Sequence, residues 1–274
     1  MSGVRHSERK QGFPRNVRSR LSSIVNPDLS STRFFDGAGG QLSLIGVMFL
    51  FYLGVRGITQ TSEDLAFANA YDILKFEAKL GIAWEQRAQQ LLLDRSNLMS
   101  FFNWFYAWTY WPVLAGSLVL LWWRDRHRYL LFRDALIFSG AIGLLIFTFY
   151  PVAPPRFLDG FVDTVSATSR HVIAHPSALI NPFAALPSFH VGWHTLSALM
   201  IASMVSSKPL RVLIMTPSAI MAVTVVVTAN HYIVDAALGL FLSICGLLAI
   251  KTYRKWPTDI APAETQRKKD AIPA

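Results

Sequence analysis

The sequence predicts an all-α integral membrane protein with six transmembrane helices and one further amphipathic helix at the outer interface. Three observations carry this reading. Of the 274 residues, 52% are hydrophobic and 13% aromatic, with a positive mean hydropathy, which is more apolar than a soluble domain of this length normally is. Six apolar runs approach the roughly 18 to 23 residues that a helix needs to cross about 30 Å of hydrocarbon. Lys and Arg are also distributed unevenly between the segments that these runs separate.

Taken in order, the runs are Leu42 to Ile58, Phe101 to Trp123, Leu130 to Tyr150, Pro187 to Val205, Val212 to Thr228 and Ile233 to Ile250. With the N-terminus in the cytoplasm, 19 of the 26 basic residues fall on the inside. They include the cluster Arg124, Arg126, Arg128 and Arg133. The positive-inside rule therefore places both termini in the cytoplasm of a multi-pass protein of the plasma (inner) membrane. Most of the +9 net charge is then a topology signal. The basic N-terminal arm (Arg5, Arg9, Lys10, Arg15, Arg18, Arg20) is read as touching anionic lipid head groups rather than nucleic acid. No removable signal peptide is expected, because the arm lacks a short apolar core and a small-residue cleavage site. The lone cysteine, Cys245, lies inside the sixth run, so no intrachain disulfide and no cysteine-based metal site is expected.

The organisation that follows is a basic cytoplasmic segment (1–40), a membrane domain (41–256) and a cytoplasmic tail (257–274) read as disordered. Between the first two spans lies a long helical region, 60–97. Ser62 followed by Glu63 and Asp64 is a helix-start pattern, and Phe67, Tyr71, Leu74 and Ala78 recur along one face. An amphipathic helix on the outer interface is expected; it either covers the bundle or guards a lipid entrance.

Ionisable groups at membrane depth are costly, so they are functional suspects. The topology brings three clusters to the outer surface: "YPVAPPRFL" (150–158), "PSFH" (187–190) and "NHYIVD" (230–235). His231 and Asp235 are one helical turn apart and share a face. The carboxylate is expected to hold one imidazole nitrogen and leave the other free as a nucleophile or base. His190, from another helix, suits a second proton-transfer role. Pro187 fits the first turn of a helix, whose free N–H groups together with Ser188 form an anion cradle. Arg156 adds a charge whose fork geometry matches phosphate oxygens. The set describes metal-free phosphoryl transfer at a membrane surface. No cofactor is called for.

At these residues the sequence resembles the type 2 phosphatidic acid phosphatase (PAP2) superfamily of six-span lipid phosphatases and phosphotransferases. "PSFH" and "HYIVD" resemble its second and third motifs. "APPR" and "NPFAALPSFH" are more similar to its inositol phosphorylceramide synthase-like branch. The resemblance covers roughly Phe101 to Ile250 and implies a PAP2-like bundle. It also implies that His231 is transiently phosphorylated, that Asp235 is its partner, and that His190 protonates the leaving group. The chain departs from the usual pattern in several places. The Lys and Arg-Pro of the usual first motif are absent, leaving Arg156; the Ser-Arg pair before the third-motif histidine is Thr224-Val225; the glycine of "PSGH" is Phe189. Ser169-Arg170 imitates the missing pair, and Arg170 is a further phosphate-contact candidate from the loop.

The expected partners are a lipid phosphate substrate and, for a transferase, a hydroxyl acceptor. Phosphatase and phospholipid head-group transferase differ only in which acceptor enters the second step. Two other classes compete. His190 and His194 form "HxxxH", a pairing that also suits metal ligands, although an interhelical hydrogen bond is the simpler use of His194. A transporter or lipid-binding scaffold would need broken helices and midplane charges, and neither is evident. The oligomeric state has no signature in the sequence.

Overall fold

A computed structural model describes residues 37, 39–41, 43, 44, 46, 47, 50, 63–169 and 182–254, the side chains of 167–169 excepted. The chain divides into two compact units, Met1–Gly54 and Val55–Ala274. In the first, residues 39–41 are helical and the Gln41 N–H donates to Gly37 O at 3.2 Å. Most of the expected first span, the basic arm, Ser62, Arg170 and the tail beyond Arg254 lie outside the described residues.

Eight helices are described in the second unit: α1 (Glu63–Leu80), α2 (Glu85–Leu93), α3 (Ser96–Arg124), α4 (Arg126–Phe149), α5 (Thr164–Ser169), α6 (Phe189–Ala202), α7 (Lys208–Val227) and α8 (Ile233–Tyr253). A 3-10 turn spans Pro155–Phe157, and Val152 and Ala184 form an isolated parallel bridge. Three helices, α4, α7 and α8, are long and apolar enough to cross a membrane. Helix α3 has 29 residues, but its five tryptophans lower its hydropathy. Two of them, Trp122 and Trp123, stand in its last turn, where interfacial aromatics sit, and the other three, Trp104, Trp108 and Trp111, lie toward its middle. Helix α6 has 14 residues, about 21 Å at 1.5 Å per residue, which is shorter than the hydrocarbon layer.

That short helix lies at the centre of the bundle. Leu196 and Met200 of α6 join Tyr110, Leu114, Leu121, Leu131, Phe132 and Ala135 of α3 and α4 in one core cluster. Val191 joins Phe105, Met221 and Val225 in a second, against α3 and α7. Against α8 the approach is at backbone distance: a Cβ on Gly192 would sit 2.3 Å from Gly239 O, and one on Gly239 would sit 2.0 Å from Ser188 O. The outward faces carry exposed apolar groups such as Leu145, Phe149, Leu213, Phe241 and Leu248, as a lipid-facing surface requires.

The end of the bundle that carries the arginine cluster is fastened by a part-buried ion pair. Asp125 caps α4 by accepting from the Arg128 N–H at 2.9 Å and pairs with the Arg128 guanidinium, whose Nε also donates to Ser203 Oγ of the α6 C-terminus at 3.1 Å.

Helix α1 forms with its predicted start but turns a different face inward. The sequence pattern pointed to Phe67, Tyr71, Leu74 and Ala78. The buried positions are Ala66, Asn69, Ala70, Ile73 and Glu77, while Tyr71 is 43% exposed. Two alanines let the helix approach Val152, Ala153, Leu186 and Tyr232 closely, with Phe67 and Leu74 packed at the edge of that cluster. Asn69 and Glu77 go in because backbone groups await them there. Asn69 Nδ2 donates to Pro151 O at 2.8 Å, and buried polar groups are tolerated when paired in this way. The helix covers the bundle end where the three polar clusters meet.

Candidate active site

The structure joins the three clusters by hydrogen bonds. Val152 N–H donates to Phe183 O (2.9 Å) and Ala185 N–H to Val152 O (3.2 Å), so the segment before α6 runs beside the segment after α4. Arg156 N–H donates to Ala229 O (2.8 Å), and Tyr232 Oη donates to Ala153 O (3.0 Å). Ser188 N–H donates to Asp235 O (2.9 Å), tying the start of α6 to the start of α8. The Leu186-Pro187 peptide is cis.

His231 projects from the turn between α7 and α8. That turn is closed by Val225 O, which accepts from both the Asn230 and His231 N–H groups (3.0 and 3.1 Å). Ala229 at φ +53° supplies the left-handed step of a helix C-cap. The His231 ring is buried, and its Nδ1 lies 2.7 Å from Ala185 O. A carbonyl only accepts, so Nδ1 carries the proton, and in the neutral ring Nε2 holds the lone pair. Nε2 is buried and meets no protein donor among the described residues. Burial pushes the imidazole down to about 4; the Ala185 hydrogen bond opposes this and the Arg156 cation reinforces it. At neutral pH the ring is therefore an uncharged base with one free nitrogen.

The sequence expectation that Asp235 holds this ring is modified by the geometry. Asp235 Oδ2 accepts the Tyr232 N–H at 2.9 Å and stands 3.6 Å from His231 Nδ1, beyond a normal hydrogen bond. The carboxylate caps its own helix, so the backbone carbonyl of Ala185 is the ring's direct partner. Asp235 is fully buried and near enough to stabilise an imidazolium by its field.

His190, in the first turn of α6, faces His231 with ring centroids 5.7 Å apart. Two α3 tyrosines clamp it: Tyr106 stacks at 4.3 Å and Tyr110 packs at 4.4 Å, tilted by 39°. Sequence reading passed over both tyrosines, yet their spacing of four residues on an apolar helix was the available signal. Ser188 is fully buried, with a hydroxyl that meets no partner among the described residues. Arg156 contacts Asn230 Oδ1 through its guanidinium and lies 3.8 Å from Asp163 Oδ1. It is thus held at the site's edge with part of its fork uncommitted. Arg170 lies outside the described residues.

His194 is buried one turn below His190. Its Nδ1 faces Ser218 Oγ of α7 at 3.2 Å, and that hydroxyl also bonds His194 O at 3.1 Å. The "HxxxH" pairing finds no third ligand: among the described residues no group of three His, Cys, Asp or Glu could hold a metal ion.

The departures from the expected motifs have structural counterparts. Val225, where an arginine was expected, is fully buried among Phe105, Val191 and Met221, a place that could not take a charge without a partner. Phe189, in place of glycine, stacks on Trp193 at 4.6 Å. Its ring occupies the space over Gly143 of α4, where a Cβ would come within 2.2 Å of it.

The family model of the PAP2 superfamily matches residues 71–249. The chain belongs to that superfamily. The match runs from within α1 to within α8 and contains every described candidate residue. No curated protein and no solved structure matches the chain. Membership points to a phosphatase-type enzyme of lipid phosphates, in keeping with three described helices able to span a membrane.

Proposed function

We propose that this PAP2-superfamily chain is a six-span membrane enzyme whose His231 accepts a phosphoryl group from a lipid phosphate at the extracytoplasmic face. The observation that carries the reading is the His231 ring, with its Nδ1 proton fixed by Ala185 O and its Nε2 lone pair buried and free beside His190. Nε2 attacks phosphorus as the bond to the ester oxygen breaks, and protonated His190 donates to that oxygen. Water then attacks the phosphohistidine, His190 takes the proton, and inorganic phosphate leaves. Arg156 and the α6 N-terminus with Ser188 hold the non-bridging oxygens, with Arg170 a further candidate. Asp235 stabilises the charge that develops on His231.

A second acceptor reading has its own support. The His231 side chain is 6% exposed and roofed by Tyr106 (ring centroids 6.5 Å apart), and α1 covers the same end. Such enclosure favours a lipid or polyol hydroxyl over bulk water in the second step, the outcome for a head-group transferase resembling inositol phosphorylceramide synthase. The test uses detergent-purified protein with EDTA and phosphatidic acid, polyprenyl phosphates and phosphatidylinositol plus a hydroxyl acceptor. Free phosphate and new lipid are both followed. Phosphate release establishes a phosphatase, and a new phospholipid without phosphate a transferase. Silence in EDTA with recovery on zinc overturns the phosphohistidine route.

Two further outcomes are expected. Arg156→Lys keeps the charge but loses the fork and the Asn230 contact. It should raise KM more than it lowers kcat, with kcat/KM down about 10- to 100-fold, the worth of one charge-assisted hydrogen bond of about 1.5–3 kcal/mol. Because His231 must be neutral to attack, kcat/KM should fall on the acid side as pH drops toward about 4, while the alkaline limb follows the loss of the His190 proton that the leaving oxygen needs. Stability should also fall on the acid side, since the unfolded imidazole, with its ordinary value of 6.5, takes up a proton first.

A further inference from the structure

Two carboxyl groups outside the motif residues converge on the same helix start. Glu77 of α1 and Glu85 of α2 are 0% and 1% exposed. Glu85 Oε1 accepts the Ile233 N–H at 2.9 Å, and Glu77 Oε1 accepts the Val234 N–H at 2.7 Å. With Asp235 on the Tyr232 N–H at 2.9 Å, three consecutive amides at the start of α8 are each taken by a different carboxyl. Helix N-termini favour negative charge, but one helix end does not neutralise three buried carboxylates. Neither glutamate has an ion-pair partner among the described residues.

The second oxygen of Glu77 decides how the cluster is arranged. Oε2 is buried without a hydrogen-bond donor, and the Glu85 carboxyl, seated on the adjacent amide, is its close like-charged neighbour. Two ionised carboxylates would repel there. A single proton between them turns the contact into a hydrogen bond and leaves one negative charge for the helix end. We propose that Glu77 and Glu85 are positioning residues of the site, a carboxyl pair sharing one proton that pins the first turn of α8 and so fixes Asp235 and His231 against α6. The inference rests on the phosphohistidine reading for its effect on catalysis, but not for the pair itself.

Burial, and then the Glu85 contact, raise Glu77 from 4.5 to about 9, with the Val234 N–H opposing. The groups that face it are Glu85 from α2 and Asp235 and Tyr232 from the start of α8. The folded state keeps a proton that the unfolded chain has lost above 4.5, so the pair's contribution to stability is complete at low pH. It is lost as pH rises through about 9.

The test compares Glu77→Gln with Glu77→Ala in the full-length protein in detergent. Glutamine reproduces the protonated acid, since its carbonyl accepts from Val234 and its amide donates to Glu85. Wild type should lose Tm and kcat as pH rises from neutral past about 9, whereas Glu77→Gln should hold both through that range. Glu77→Ala should lower kcat at neutral pH at least ~10-fold with little change in KM, because a displaced catalytic group costs chemistry more than binding. Glutamine should rescue that loss. If the alanine variant does not fold, Glu85→Gln serves in its place: its amide donates to Glu77, and the alkaline fall should vanish again. Parallel Tm and activity profiles in wild type and both glutamine variants overturn the shared proton. The Tm profile needs no substrate. The expected Tm curves without lipid-phosphate turnover would leave the carboxyl pair standing and sink the proposed function; turnover with parallel Tm curves would do the reverse.

Discussion

His231→Ala is expected to lower phosphate transfer by a factor on the order of 10⁴ or more, the usual consequence of removing a nucleophile, while the bundle stays folded. The structural loss is confined to one hydrogen bond, Nδ1–H to Ala185 O. Leaving that carbonyl unpaired costs about 1–3 kcal/mol, which a bundle cored by α3, α4 and α6 can absorb. The chemical loss is complete, since among the described residues no other side chain presents a lone pair fixed in the same way opposite His190. Rapid-quench measurement of acid-labile phosphate on the protein checks the assignment, because wild type should trap label on histidine and the variant none. His190→Ala separates the two rings. It should lose turnover of an alkyl phosphate, whose leaving oxygen needs a proton, but keep labelling by a nitrophenyl phosphate, whose leaving group does not. Full activity in His231→Ala would remove it from the mechanism, and the Ala185 hydrogen bond would then be only a packing feature.

What the sequence disclosed follows from the range of each interaction. Helices α3, α4, α6, α7 and α8 were legible as apolar runs because hydropathy is a property of composition, and their observed ends differ by a few residues from the runs. The meeting of "YPVAPPRFL", "PSFH" and "NHYIVD" was legible too, since alternate crossings put the ends of three runs on one side. The inward face of α1 was not. Apolar spacing alone favours Phe67 and Tyr71, whereas the helix is drawn in by two alanines and by polar side chains that answer distant backbone groups, 157 residues away in the case of Glu77 and Val234. The partner of His231 was hidden for the same reason. Periodicity proposes Asp235 at one turn's distance, but the ring finds Ala185 O, 46 residues away, and no side-chain pattern announces a carbonyl. The tyrosine clamp on His190 looked like ordinary span composition. Acids at span ends are visible in sequence; the groups that aim them are mostly backbone.

The backbone contact between α6 and α8 gives the second large effect. Gly239→Ala should destabilise the protein by about 3 kcal/mol or more, at or beyond the upper end of ordinary overpacking, and should reduce turnover further than the loss of folded protein explains. A Cβ at 239 would stand 2.0 Å from Ser188 O, 2.6 Å from its carbonyl carbon and 3.0 Å from its nitrogen. All three are backbone atoms, so no rotamer change relieves the contact, and α6 must move away from α8. Ser188 N–H would be pulled from Asp235 O, now 2.9 Å away, and His190 would shift relative to His231. Gly116→Ala is the control, because a Cβ there meets nothing within 4 Å. It should leave activity alone and raise stability by up to ~1 kcal/mol through helix propensity. Thermal unfolding in detergent with kcat per folded enzyme reads both variants. If Gly239→Ala matched the Gly116 control, α6 and α8 would not be in backbone contact, and the alignment of His190 with His231 would need another source. A loss of Tm with kcat per folded molecule unchanged would show that the junction holds the bundle together without setting the distance between the two imidazoles.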